Sequence, residues 1–136
     1  RLASADLFLD THPYNAHTTA SDALWAGLPV LTVPGGTFAG RVAASLLTAV
    51  DLTNMIAPSY EAYEERALGF ARAPQTLAPV RERLTKGRAA LRLFQTARYT
   101  RNLEAAYREM HRLSQEGAAP QGFAVDALPG RLAEDT

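Results

Sequence analysis

Leu7-Phe8-Leu9, then Asn15-Ala16-His17-Thr18-Thr19-Ala20-Ser21-Asp22, then Val30-Leu31-Thr32-Val33: met in this order, these stretches set the fold class. Leu7-Phe8-Leu9 is a short apolar run between Asp6 and Asp10, the form of a buried strand. Thr11 to Ala16 contains Pro13 and Asn15 and no helical period, so it is a loop. Thr19-Ala20-Ser21-Asp22 has the spacing of a capping box, with Asp in place of Glu, and a helix is expected from there. Ala23, Leu24 and Ala26 supply its apolar face, Gly27 stands just past its end, and Pro29 closes the turn. Val30 to Val33 is rich in branched side chains and reads as a second strand.

Working outward, Pro34-Gly35-Gly36-Thr37 is a second loop and Arg41 to Val50 a second helix, with Val42, Leu46 and Val50 on one side. Asn54-Met55-Ile56-Ala57 reads as a third short strand ahead of Pro58. Ser59 is a good cap for a helix whose stripe is Tyr63, Ala67, Phe70 and Ala71. A further helix is expected over roughly Val80 to Leu91, with Pro79 confined to its first turn, because an interior proline breaks a helix. The last helix runs from about Ala97 to Gln115, with Leu103, Ala106, Tyr107, Met110 and Leu113 on one face. Beyond Gly117 the chain is rich in Gly, Pro and Ala and is expected to be mostly disordered. Strand, loop and helix alternate at first, and helices alone follow. That is an open parallel α/β sheet entered partway, and parallel strands need neighbours and covering helices. Upstream strands are therefore expected, in keeping with a start at Arg1 that has neither an initiator Met nor signal-peptide form.

The chain has 136 residues, enough for one domain with a core. Fourteen Lys and Arg balance fourteen Asp and Glu, so no global field favours nucleic acid or an anionic membrane surface. No apolar run approaches the roughly 20 residues of a membrane-spanning helix. The absence of cysteine excludes disulfides, thiolate zinc sites and thiol catalysis, and no histidine pair has ligand spacing, so no metal is expected.

Chemistry concentrates between Asn15 and Asp22, where a strand gives way to a helix. Ligands of open α/β sheets bind at the carboxyl ends of strands, and a helix N-terminus there attracts phosphate. Thr18 and Thr19 add hydroxyl donors, and His17 adds a donor that becomes a cation on protonation. Asp22, about one turn in, suits sugar hydroxyls and not phosphate. A helix start of this composition is also what a plain cap looks like. One threonine can cap while its neighbours bind, so the two roles are compatible. In the second loop, Arg41 can pair with a phosphate or with a carboxylate of its own protein, while the glycines let backbone approach closely. The loop is too unlike G-x-G-x-x-G to be a dinucleotide fingerprint. His12 and His111 are weaker candidates, and Arg98, Arg101 and Arg108 mark the solvated side of the last helix.

Ala5-Asp6-Leu7-Phe8-Leu9-Asp10-Thr11, Asn15-Ala16-His17-Thr18-Thr19 and Asp22-Ala23-Leu24-Trp25-Ala26-Gly27-Leu28-Pro29-Val30 together resemble the O-linked N-acetylglucosamine transferase family, SPINDLY-like proteins included. So do Arg41-Val42-Ala43-Ala44-Ser45-Leu46-Leu47-Thr48 and Leu93-Phe94-Gln95-Thr96-Ala97-Arg98-Tyr99-Thr100 with Leu103-Glu104-Ala105-Ala106-Tyr107. The resemblance covers residues 3–117 and leaves the tail unrecognised. It implies the GT-B fold, two Rossmann-like lobes with the nucleotide sugar between them. Residues 1–117 would then be the C-terminal part of the second lobe and 118–136 a tail. It implies transfer of N-acetylglucosamine from UDP-GlcNAc to Ser or Thr hydroxyls of proteins in the cytoplasm, by a protein with upstream tetratricopeptide repeats and an N-terminal catalytic lobe. By resemblance, His17, Thr18 and Thr19 contact the UDP diphosphate and Asp22 the ribose. The family's acid/base candidate, phosphate-binding lysine and uracil contacts would lie upstream, leaving no catalytic residue and no transferase activity in this segment alone. A related branch uses GDP-fucose and carries a threonine-rich loop here, whereas His17 and Asp22 favour the UDP-GlcNAc branch. The competing possibilities are a non-catalytic interaction module that keeps the half-lobe, and a GT-B enzyme with another donor.

Overall fold

The computed structural model describes residues 2–125. The chain divides into two compact units, Arg1–Phe94 and Gln95–Thr136.

In the first unit, strand β1 (Phe8–Leu9) leads through a loop to helix α1 (Thr18–Trp25), then strand β2 (Val30–Leu31) and helix α2 (Val42–Ala49). Helices α3 (Tyr60–Arg72) and α4 (Ala78–Lys86) follow, separated by a 3-10 turn over Pro74–Leu77. β1 and β2 pair in parallel with Phe8 opposite Val30 and Leu9 opposite Leu31. Both β2 residues are fully buried, as expected of the inner strand of a covered parallel sheet. Leu24 of α1, Leu47 of α2, Met55, Leu77 and Leu84 of α4 close over it to make one apolar core.

The α/β alternation is as expected, with three corrections. The expected third strand is a single parallel bridge between Thr32 and Ile56. Thr53–Met55 coils into a 3-10 turn on one side and Pro58, which has no N–H to donate, stops the ladder on the other. The helix expected to reach Leu91 ends at Lys86, because Gly87 caps it and a 3-10 turn over Arg88–Ala90 follows. Pro79 does lie within the first two positions of that helix. Third, the capping box does not form. The residue preceding α1 is His17, and no side chain caps the helix. Thr18 and Thr19 are thus its first two residues and Asp22 lies in its second turn.

The ends of α1 and α3 obey their sequence signals. Gly27 follows α1 with φ +80°. Its N–H bonds the Leu24 carbonyl at 3.1 Å and the Leu28 N–H bonds the Ala23 carbonyl at 2.9 Å, the paired closure of a Schellman motif. Gly27 also has no room for a side chain, since a Cβ would stand 2.5 Å from the Thr85 methyl on α4. Ser59 caps α3 by accepting the Ala62 N–H at 3.2 Å.

The second unit is helix α5, Thr96–Gln115, and the segment after it. Gly117, at φ +69°, ends α5 with the same paired closure, its N–H on Ser114 and that of Ala118 on Leu113. Arg112 links Glu109 and Glu116 along the polar side. Residues 118–125 form no helix or strand and share a cleft with Met110 and Leu113 through Pro120 and Phe123. The rest of the expected disordered tail lies outside the described residues.

Candidate functional site: the opening of helix α1

The loop between β1 and α1 is fixed from three directions. Asp10, at the end of β1, accepts the Thr11 N–H at 2.9 Å and the Ala16 N–H at 2.7 Å on one carboxylate oxygen. Its other oxygen accepts the hydroxyl of Thr32, the residue just past β2, at 2.6 Å. Its carbonyl accepts the Tyr63 hydroxyl of α3 at 2.8 Å. Burial, and secondarily the Asp10 charge, push the Tyr63 phenol above its ordinary value, which keeps it a proton donor. Asn15 is buried, with its N–H on the Ala39 carbonyl and its amide on the Thr11 carbonyl.

The second loop packs onto the first through glycines. A Cβ on Gly40 would meet the Pro13 carbonyl at 3.0 Å, and one on Gly35 would meet the His12 ring at 3.0 Å. The two loops therefore approach as closely as they do because both positions lack a side chain. Their contact is completed by rings: His17 stacks on Tyr14 at 4.8 Å and meets Phe38 edge-on at 6.1 Å. His17 Nε2 lies 3.3 Å from the Ala39 carbonyl. A carbonyl only accepts, so that contact places a proton on Nε2. The remaining ring nitrogen is an acceptor in the neutral imidazole and a donor in the protonated one.

These supports leave the start of α1 open. Ser21 makes the first backbone bond of the helix, to His17. The N–H groups of Thr18, Thr19 and Ala20 lie in the turn that has no intrahelical acceptor, and no side chain caps them. Thr18, Thr19 and Asp22 are exposed. Thr18 and Asp22 are four residues apart and share a helix face. The structure thus brings His17, Thr18, Thr19 and Asp22 to one helix end beyond the carboxyl end of β1. Arg41 differs: it precedes α2, and its guanidinium donates to the Gly36 carbonyl of its own loop at 2.8 Å. Among the described residues no group of three His, Cys, Asp or Glu side chains is placed to hold a metal ion, and no helix is long and apolar enough to cross a membrane.

This architecture and sequence match a known family. The family model described as Glycosyl transferase family 41 matches residues 1–103. The chain belongs to glycosyl transferase family 41. Relatives of this family-41 chain include the Arabidopsis thaliana probable UDP-N-acetylglucosamine–peptide N-acetylglucosaminyltransferase SEC, 42% identical over 126 residues, which are 92% of this chain and 13% of that protein. The tomato (Solanum lycopersicum) protein of the same description named SPINDLY is 36% identical over 85% of this chain and 12% of its own length. Among solved structures, a mutant O-GlcNAc transferase of Thermobaculum terrenum superposes with a TM-score of 0.79 at 39% identity, covering 87% of this chain and 23% of that one. The family-41 chain therefore spans a small part of the relatives it matches.

Sequence reasoning located the helix opening but missed what holds it. Asp10 reads as the polar end of a strand, and its partners Thr32 and Tyr63 are distant in sequence. The flanking Tyr14 and Phe38 carry no motif, though both are large aromatics in loops beside a candidate site, a signal that was available.

Proposed function

We propose that this chain forms the nucleotide-sugar-binding part of a protein O-glycosyltransferase that moves N-acetylglucosamine from UDP-GlcNAc to Ser or Thr hydroxyls. The observation that carries this is the open, braced start of α1 at the end of β1, in a chain that belongs to glycosyl transferase family 41. Relatives described as UDP-N-acetylglucosamine–peptide N-acetylglucosaminyltransferases support the donor and the peptide acceptor. In this reading Thr18 and Thr19 donate to the diphosphate with the free N–H groups of α1, His17 contacts it beside them, and Asp22 accepts hydrogen bonds from the ribose hydroxyls.

The acceptor oxygen attacks the anomeric carbon of the sugar, the bond from that carbon to the diphosphate oxygen breaks, and UDP leaves with the electron pair. The proton of the attacking hydroxyl goes to a base in the upstream lobe. This chain's share is electrostatic: fixed donors and a helix dipole face the charge that builds on the departing diphosphate. Those groups take the role a divalent cation has elsewhere, so the reaction runs without a metal or other cofactor, and excess EDTA should leave the rate unchanged. The upstream lobe, tetratricopeptide repeats that present the protein acceptor, and a cytoplasmic setting complete the proposal.

The test is transfer by the full-length protein to a Ser/Thr peptide, read by mass spectrometry with UDP-GlcNAc and GDP-fucose in parallel. Addition of N-acetylhexosamine from UDP-GlcNAc supports the proposal. Fucose transfer alone assigns the other donor, and no transfer from either leaves the non-catalytic module.

A further inference from the structure

We propose that Asp10, with Thr32, is the positioning residue that sets the phosphate-facing turn before α1; this rests on the diphosphate role of α1 argued above. Asp10 is only 7% exposed. Burying a carboxylate is costly unless hydrogen bonds compensate it. Here both oxygens are used, and among the described residues none of the partners is a cation: Thr11 N–H, Ala16 N–H and the Thr32 hydroxyl. One carboxylate oxygen gathers two N–H groups five residues apart and so cinches the loop into a closed ring. Ala16 is the residue next to His17. Tying its N–H back to β1, while the Asn15 N–H is tied to Ala39 in the second loop, fixes the peptide from which α1 departs. Thr32 extends the bracing to β2, and Tyr63, bonded to the Asp10 carbonyl, extends it to α3. Three elements thus meet at one buried residue.

Charge and geometry make opposite predictions for this residue. A carboxylate near a diphosphate repels it, so removing the charge should tighten UDP binding. If Asp10 holds the turn, its loss should weaken binding instead. Asp10→Asn separates the two. The amide oxygen still accepts both N–H groups, and the Thr32 hydroxyl can turn to accept from the amide nitrogen.

The experiment is calorimetric titration of UDP and, by competition, uridine into the full-length protein. Asp10→Ala should weaken UDP by about tenfold, the size of losing charge-assisted hydrogen bonds that order the turn, and leave uridine within about twofold. Asp10→Asn should stay within about threefold for UDP, rescuing the geometry without the charge. Thr32→Val should weaken UDP by about threefold and spare uridine. A destabilised fold would weaken both ligands together, so equal losses overturn the proposal, as does unchanged or tighter UDP binding by Asp10→Ala. If that variant does not fold, Thr32→Val decides by the same comparison. Thr18→Ala with Thr19→Ala is the reference. Loss of UDP affinity there, with none in the Asp10 or Thr32 variants, removes the positioning role alone. No loss in the reference removes the diphosphate role and this inference with it.

Discussion

Thr18 and Thr19 are legible in sequence as residues at a helix start, but not as residues free of capping. The three-residue spacing from Thr19 to Asp22 fits a cap, and the backbone starts the helix one residue before it, at Thr18. What decides is the Asp10 ring, which delivers His17 to the position before the helix and leaves both threonines exposed on it. No local pattern reports that ring, because Thr32 and Tyr63 come to Asp10 only on folding. Asp22 shares a helix face with Thr18, as their four-residue spacing implies, but lies in the second turn of α1. Asp22→Asn should weaken UDP and GDP alike, by about 1 to 2 kcal/mol, because an amide offers one acceptor oxygen where a carboxylate offers two. The loss should be smaller with 2′-deoxy-UDP, which lacks one of the partners. Equal losses for UDP and its deoxy analogue, measured by calorimetry, would show that Asp22 does not hold the ribose. Tyr63 makes a pH prediction. Its phenol is raised on folding, so the stability it contributes is complete below the unfolded value of 10.0 and is lost as pH rises through the higher folded one. Urea unfolding near neutral pH and above pH about 10 should show an alkaline loss that shrinks in Tyr63→Phe; an undiminished loss would contradict the role of this hydroxyl.

At the scale of elements, the signals that held were those with a backbone cause. Gly27 and Ser59 ended and began helices where predicted, because a positive φ and an N-cap oxygen are local demands. The signals that failed were ones of extent. Asn54 to Ala57 has strand composition, yet pairing needs a neighbour and a free N–H on each side, and the segment obtains one bridge. The segment expected to be one helix to Leu91 runs through Gly87, which has no space for a Cβ beside the Arg83 carbonyl at 2.7 Å. Gly27→Ala should cost about 1 to 3 kcal/mol, from the left-handed conformation and the contact with Thr85. Ser59→Ala should cost about 1 kcal/mol. Denaturant midpoints of the full-length protein check both, and a Gly27→Ala variant as stable as the parent would show that α1 and α4 do not approach as described.

At the scale of the whole molecule, β1 pairs on one side with β2, and among the described residues nothing hydrogen-bonds its other edge as a strand. Leu9 on that strand is half-exposed, and exposed strand edges invite pairing with other chains. The isolated 136-residue chain should therefore self-associate in a concentration-dependent way by analytical ultracentrifugation. A monomer that melts cooperatively would contradict the half-lobe architecture. The most direct test of the site is calorimetric titration of UDP into the folded full-length protein and into its Thr18→Ala, Thr19→Ala double variant. A diphosphate held by α1 predicts a loss of roughly 1 to 3 kcal/mol, with a melting temperature close to the parent's. Unchanged UDP affinity in the folded double variant would contradict it.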